Sequence, residues 1–182
     1  GEDYYEIDTP EELYWFAGYI NGTETPAEGE GTINAVLTAD IEINPGVLLD
    51  EDGSFIADTS TLIPWTPIGN TSSIHETTYQ PVEFFGGVFD GQGHTISGLY
   101  YKEIEGTLTG GLFGSVKGTV KRVGLVNSYI EKNDGYTGGI CGYVMDGNII
   151  GCYNAATVNG SGICGEFFSG TVSHCYNIGI IG

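Results

Sequence analysis

The sequence predicts an all-β fold: a right-handed parallel β-helix, or solenoid, with a short N-terminal capping α-helix. Three observations carry this expectation. Nearly the same line is written twice, GGICGYVMDGNIIGCYN at 138–154 and SGICGEFFSGTVSHCYN at 161–177. The segments inside it are short, rich in Val, Ile, Tyr and Thr, and bounded by Gly or Asn, which is strand punctuation rather than helix. Near the N-terminus, by contrast, IDTPEELYWFAGYIN at 7–21 carries a complete helix-start signal.

That N-terminal signal comes first along the chain. Thr9 suits an N-cap, Pro10 the first helical position, and Glu11 and Glu12 the positive end of the helix dipole. Glu12 falls three residues after Thr9, the spacing of a capping box. Leu13, Phe16, Ala17 and Ile20 then recur at helical period. The expectation is one amphipathic helix over about 10–20, covering an end of the solenoid that would otherwise expose strand edges. Residues 1–34 read as helical cap and lead-in.

Residues 35–109 read as irregular coils with an insertion at about 44–79. Within it, NPGVLLDEDGSFIADTSTLIPW suggests a hairpin turning at Asp52-Gly53. Such an excursion is either where specificity resides or an idle insertion. Residues 110–182 hold the repeats. A looser copy, GGLFGSVKGTVKRVGLVNSYI at 110–130, precedes the two quoted. Leu112, Ile140 and Ile163 correspond, as do Phe113, Cys141 and Cys164. Val120, Ile149 and Val172 form another set, and Val123, Cys152 and Cys175 a fourth. The step is 28 or 29 residues, then 23, with the variable length at the turn-like EKNDG. Strands this short cannot each bury an apolar face alone. Stacked one repeat on the next they share a core, with equivalent residues in ladders about 4.8 Å apart. Right-handedness is assigned by analogy with other long, irregular repeats.

GLFG at 111–114, with its variants GICG at 139–142 and 162–165, resembles the GLUG motif of bacterial surface proteins. EFFGGVFDGQGHTISGLYY at 83–101, WTPIG at 65–69, AVLTADIEIN at 35–44 and the helix segment are similar to the same family, in the same order, and together span most of the chain. The resemblance implies a β-helical module of secreted or wall-attached bacterial proteins, adhesins among them. It implies no reaction.

Length and composition are compatible with a single domain over 1–182. Gly1 stands where an initiator Met would, and IGIIG follows a repeat without a cap signal, so the chain is expected to be a fragment of a longer protein. The net charge is −19, and all of it lies before residue 110, because the remainder holds four acids and four bases. An acidic protein of this kind repels phosphate backbones, so neither nucleic acid nor an anionic membrane is an expected partner. No apolar run is long enough to span a membrane. The acidic half reads as solubility, with attraction of cations or basic partners as the alternative.

Candidate chemistry is sparse. DEDG at 50–53 has alternating aspartates, but position twelve counted from Asp50 is Thr61 and not Glu, so it fails as an EF-hand loop. His75, His94 and His174 are not at metal-ligand spacing. His94 reads as part of a turn leading into TISGLYY, and Asp40 and Asp90 as structural turn residues. Cys141, Cys152, Cys164 and Cys175 read as buried thiols. Disulfides pairing 141 with 164, 152 with 175, or 141 with 152 are the alternatives. The sequons at Asn21, Asn70 and Asn159 read as turn composition. The CYN repeats stack Tyr153 on Tyr176 and Asn154 on Asn177. Asparagines in such a ladder exchange amide hydrogen bonds. Tyrosines in such a ladder form either a structural stack or an aromatic platform for sugar rings, with Tyr129, Tyr136 or Tyr143 as further members.

The functional expectation is a non-catalytic, extracellular or cell-surface module for adhesion or for recognition of a glycan or surface protein, with no cofactor. A structural stalk is the alternative. A polysaccharide lyase or hydrolase is a weaker one, because the repeats offer few acids to pair.

Overall fold

In the computed structural model, residues 4–24, 32–46, 48–70, 83–103, 105–132 and 135–182 are described. The chain opens with β1 (Tyr4–Ile7) and α1 (Pro10–Ile20), followed by β2 (Asn34–Leu37) and β3 (Ile41–Glu42). Next come β4 (Val88–Asp90), β5 (Thr95–Ser97), β6 (Tyr100–Lys102) and β7 (Thr109–Gly110). The repeats supply β8 (Phe113–Val116), β9 (Thr119–Lys121), β10 (Gly124–Glu131), β11 (Tyr136–Thr137) and β12 (Cys141–Val144). They continue with β13 (Gly147–Ile150), β14 (Tyr153–Val158), β15 (Cys164–Phe167), β16 (Gly170–Ser173) and β17 (Tyr176–Asn177). Strands dominate, one α-helix accompanies them among the described residues, and every ladder between named strands is parallel.

The sheets are built across repeats, not within them. One runs β1-β2-β4-β9-β13-β16, a second β17-β14-β10-β5-β3 with β6 also beside β10, a third β15-β12-β8, and a short pair is β11-β7. From β8 onward the chain visits the third, first and second sheets in the same order in each repeat. The residue correspondences read from the sequence are Cα partners: Phe113, Cys141 and Cys164 in one ladder, and Val120, Ile149 and Val172 in another. The latter ladder continues upstream through Phe89 and Ala35 to Tyr5. Leu112, Phe113, Val120, Val123, Ile140, Cys141, Ile149 and Cys152 all sit in one continuous apolar core.

The helix forms as its sequence dictates. Thr9 Oγ1 accepts from the Glu12 N–H at 3.3 Å, and Glu12 Oε2 accepts from the N–H of Thr9 at 3.2 Å and of Asp8 at 2.9 Å. Leu13, Phe16, Ala17 and Ile20 are buried, with the Phe16 ring 6.0 Å from Phe85 and 5.9 Å from Phe89. The apolar face of the helix thus packs at the β1 end of the first sheet. No helix among the described residues is long and apolar enough to cross a membrane.

Of the expected insertion at about 44–79, residues 44–46 and 48–70 are described and 71–79 lie outside the described residues. Leu49 and Phe55 bridge antiparallel, and Asp50 closes the turn by accepting from the N–H groups of Asp52 (3.0 Å) and Ser54 (2.8 Å). By Pro64 the chain has rejoined the stack, bridging Tyr100 in parallel, and Ile68 bridges Phe113. Asn44 holds the neck: its amide donates to the carbonyls of Ile63 (3.0 Å) and Gly98 (2.8 Å), and its oxygen accepts from Ile63 N–H at 2.8 Å. Asn127, at φ 40°, ties the hairpin down from β10 by accepting from Leu48 N–H and donating to Gly46 C=O.

Candidate binding site

The second sheet places the tyrosines. Along β14 the side chains alternate: Asn154, Ala156 and Val158 point inward, while Tyr153, Ala155 and Thr157 are half-buried on the outer face. Tyr153 pairs with Tyr176 on one side and with Gly124 on the other, and Gly124 pairs with Thr95. The two tyrosine rings are parallel within 4° with centroids 5.2 Å apart. Parallel rings in contact are about 3.5 Å apart, so these are slipped by roughly 4 Å, the offset that the ring quadrupoles prefer. Each ring therefore leaves part of its face open, and Tyr176 is 54% exposed.

Gly124 is what lets the Tyr153 ring lie down. A Cβ on Gly124 would stand 2.7 Å from the tyrosine hydroxyl oxygen and nearer still to Cζ and Cε1. The ring occupies the space where any other residue would carry a side chain. Two strands beyond Gly124, across Thr95 of β5, lies Asp40, just before β3. Its Oδ1 accepts from Thr95 N–H at 2.8 Å and lies 3.2 Å from His94 Nδ1. The Thr95 N–H, and secondarily His94, hold the Asp40 carboxyl below its ordinary value. The Tyr153 hydroxyl is raised by partial burial first, then by Tyr176 and by the Asp40 charge. The outer face thus presents, in one row, an acid–histidine pair, a glycine gap and two slipped rings.

Beneath this row the paired asparagines are joined as the repeat predicts. Asn154, fully buried, donates to Asn177 Oδ1 at 2.7 Å and accepts from Ala156 N–H at 3.2 Å. Asn177 donates in turn to Gly179 C=O at 2.9 Å. The corner preceding the row is a column of left-handed residues, Gly93, Arg122, Gly151 and His174, with φ of 89°, 55°, 64° and 55°.

The other candidates lie elsewhere. Tyr129 pairs with Tyr100 and Thr157, outside the row of Tyr153, and Phe55 of the hairpin lies over it at 4.5 Å. Tyr136 and Tyr143 pack on each other at 5.3 Å, and Tyr143 is buried. Asp90 is a structural acid: it accepts from Gln92 N–H at 3.0 Å and from Arg122 Nε at 3.0 Å, with Arg122 Nη2 and Lys121 on its other oxygen. His75 lies outside the described residues. Asn21 uses its side chain to hold Pro67, Gly69 and Asn70. All four cysteines are free thiols, with Cys141 and Cys152 buried and Cys164 and Cys175 partly exposed. Among the described residues no group of three or more acids, histidines or cysteines is arranged to hold a metal.

The duplicated CYN predicts the pairing of Tyr153 with Tyr176, which the second sheet shows. The sequence does not bring Asp40 and His94 to them, because Asp40 and Tyr153 are joined only through the intervening strands. No protein-family model, curated protein or solved structure matches the chain significantly.

Proposed function

We propose that this chain is a non-catalytic recognition module of a secreted or cell-surface bacterial protein, built as a right-handed parallel β-helix of the GLUG type. Its parallel ladders, made one repeat at a time with a fixed order of sheets, support the helical reading. The four-residue GLFG and GICG motifs, which lead into the equivalent strands β8, β12 and β15, support the family reading. The ligand class is glycan, and the row formed by Tyr153, Tyr176, Asp40 and His94 is the site.

The observation that carries this reading is the slipped tyrosine pair, with Tyr153 half-buried and Tyr176 exposed, beside the exposed Asp40 and the half-buried His94. Flat aromatic faces cover the apolar face of a pyranose, and a small number of polar groups at the edge fix its hydroxyls. Asp40 offers acceptor oxygens, with its side chain 70% exposed, and His94 offers a ring nitrogen. Neither group is needed for packing of the core, whereas the buried rows beneath are entirely apolar or amide-paired.

The test is a glycan array probed with the labelled domain, followed by titration of the best glycan against Tyr153→Ala, Tyr176→Ala and Asp40→Asn. Saturable binding to one glycan class, weakened tenfold or more by either tyrosine change, is the expected result. Silence across the array would move the assignment to a stalk or to a protein-binding adhesin. Shortened glycan products in the same incubation would overturn the non-catalytic part.

A further inference from the structure

A groove of about 840 Å³ runs along the outer side of α1, between the helix, the Glu42–Pro45 segment and the strip from Ile63 to Thr66. It shares no residue with the tyrosine row. The helix turns Leu13, Phe16, Ala17 and Ile20 into the core, which leaves Tyr14 and Trp15 to form the groove wall. Both rings pack on other aromatic side chains. Tyr14 packs 5.4 Å from the buried Trp65, and Trp15 lies between Tyr5 at 4.8 Å and Tyr19 at 5.3 Å. Gly18 forms part of the floor, where a Cβ would meet Glu24 Cγ at 2.5 Å.

Three carboxylates, Glu11, Glu24 and Glu42, line the same groove, and none of its described lining residues is Lys, Arg or His. Burial pushes the Tyr14 hydroxyl up to about 12, so it stays neutral and a donor. A groove of this size is in the range that holds small organic ligands. Its two aromatic side chains and three negative charges select one chemistry, a cationic head on an apolar stem, with the head attracted by the carboxylates and the stem packed against the rings.

We propose that this groove binds a small organic cation, a primary alkylammonium whose stem lies against Tyr14 and Trp15 and whose charge faces Glu11 and Glu42. The free diamine and the lysine side chain carry the same group, and the experiment separates them.

Tryptophan fluorescence of the whole domain is titrated with 1,5-diaminopentane, with N-acetyl-lysine methylamide and with N-acetyl-norleucine methylamide, the uncharged match of the lysine probe. The expected result is saturable change with one or both amines and at least tenfold weaker binding of the norleucine probe. Preference for the diamine over the lysine probe identifies a free amine as the source, and the reverse identifies a lysine in a peptide. Glu11→Gln with Glu42→Gln is expected to weaken binding tenfold or more, and Trp15→Leu about fivefold. Glu51→Gln with Asp52→Asn removes equal charge at the hairpin tip, beside Gly53, which packs on Thr157 and Ile180. It is expected to change affinity less than twofold. Equal loss in the hairpin variant would show general attraction to an acidic protein and overturn the proposal. Equal binding of the norleucine probe, or no saturable response to either amine, would also overturn it. Circular dichroism of each variant confirms that α1 is retained.

Discussion

Replacing Gly124 with Ala tests whether the Tyr153 ring lies where a side chain would otherwise stand. Gly124 is in β10 with no positive φ, so the backbone accepts Ala without strain. The new Cβ would stand 2.7 Å from the Tyr153 hydroxyl oxygen, with Cζ and Cε1 closer. Ordinary contacts begin near 3.5 Å, so the end of the ring must lift by about 1 Å. That is a tilt of roughly 10° about the side-chain bonds, which costs a small fraction of the ~1 kcal/mol of a full off-rotamer excursion. The slipped contact with Tyr176 loosens, a loss of about 0.5–1.5 kcal/mol at most. Against this, Ala in a strand is favoured over Gly by roughly 0.5–1 kcal/mol. The net change is within about 1 kcal/mol, or about 2–4 °C in Tm for a chain of this size. Thermal unfolding by circular dichroism should therefore be nearly unchanged, while the near-ultraviolet tyrosine signal alters and glycan affinity falls about three- to tenfold. Gly139→Ala is the contrast: its Cβ would meet the Gly162 carbonyl oxygen at 2.5 Å and buried Asn154 at 2.6 Å, atoms that cannot swing aside. A G124A protein with an unaltered near-ultraviolet spectrum and full affinity would refute the geometry of the row, and so would one that unfolds as G139A does.

Three further outcomes follow from the same structure. Thr9→Ala removes the acceptor for Glu12 N–H and should cost about 1 kcal/mol, read as a Tm lowered by about 2–4 °C; an unchanged Tm would show that the capping box contributes nothing. N-Ethylmaleimide should label Cys164 and Cys175 in the native protein and reach Cys141 and Cys152 only after unfolding, as resolved by peptide mass mapping, whereas four unreactive cysteines that appear only after reduction would establish disulfides. Burial works to raise the Asp90 carboxyl, but the Arg122 side chain, the Gln92 N–H and Lys121 outweigh it and hold the group below its ordinary 3.8. Its contribution is thus complete above that value and is lost as pH falls through the lowered one. The stability gap between wild type and Asp90→Asn should be constant near neutral pH and narrow only below about pH 4, and a gap that persists undiminished into strong acid would contradict this assignment.

The parts of the fold legible in the sequence are those where one residue type recurs at a fixed place. Cysteine, asparagine and tyrosine recur in CYN, and the structure pairs each with its copy. The Thr9–Glu12 box and the Asp52-Gly53 turn were equally legible, because their geometry is local. The upstream members of the first-sheet ladder, Tyr5, Ala35 and Phe89, were not. They differ in size and stand at uneven intervals, and only the core they share makes them equivalent. The same holds for Tyr129, whose cover, Phe55, comes from a hairpin that reaches across the sheet. Asp40 and His94 join the tyrosines for a related reason: neighbours across parallel strands are set by the count of intervening repeats, and that count is fixed by loops of irregular length.

The glycine at 124 has a meaning beyond the ring that covers it. Thr95, Gly124, Tyr153 and Tyr176 occupy one outward slot, repeated at each strand of the sheet. Nothing in the core depends on what fills that slot, since the inward neighbours Ile96, Leu125, Asn154 and Asn177 keep their own ladder. The outer face is therefore a line of characters spaced about 4.8 Å apart, each shaped by the slot beside it. A change at one slot resets how the neighbouring side chain lies without disturbing the core, and duplication of a repeat lengthens the line by one character while leaving the rest in register.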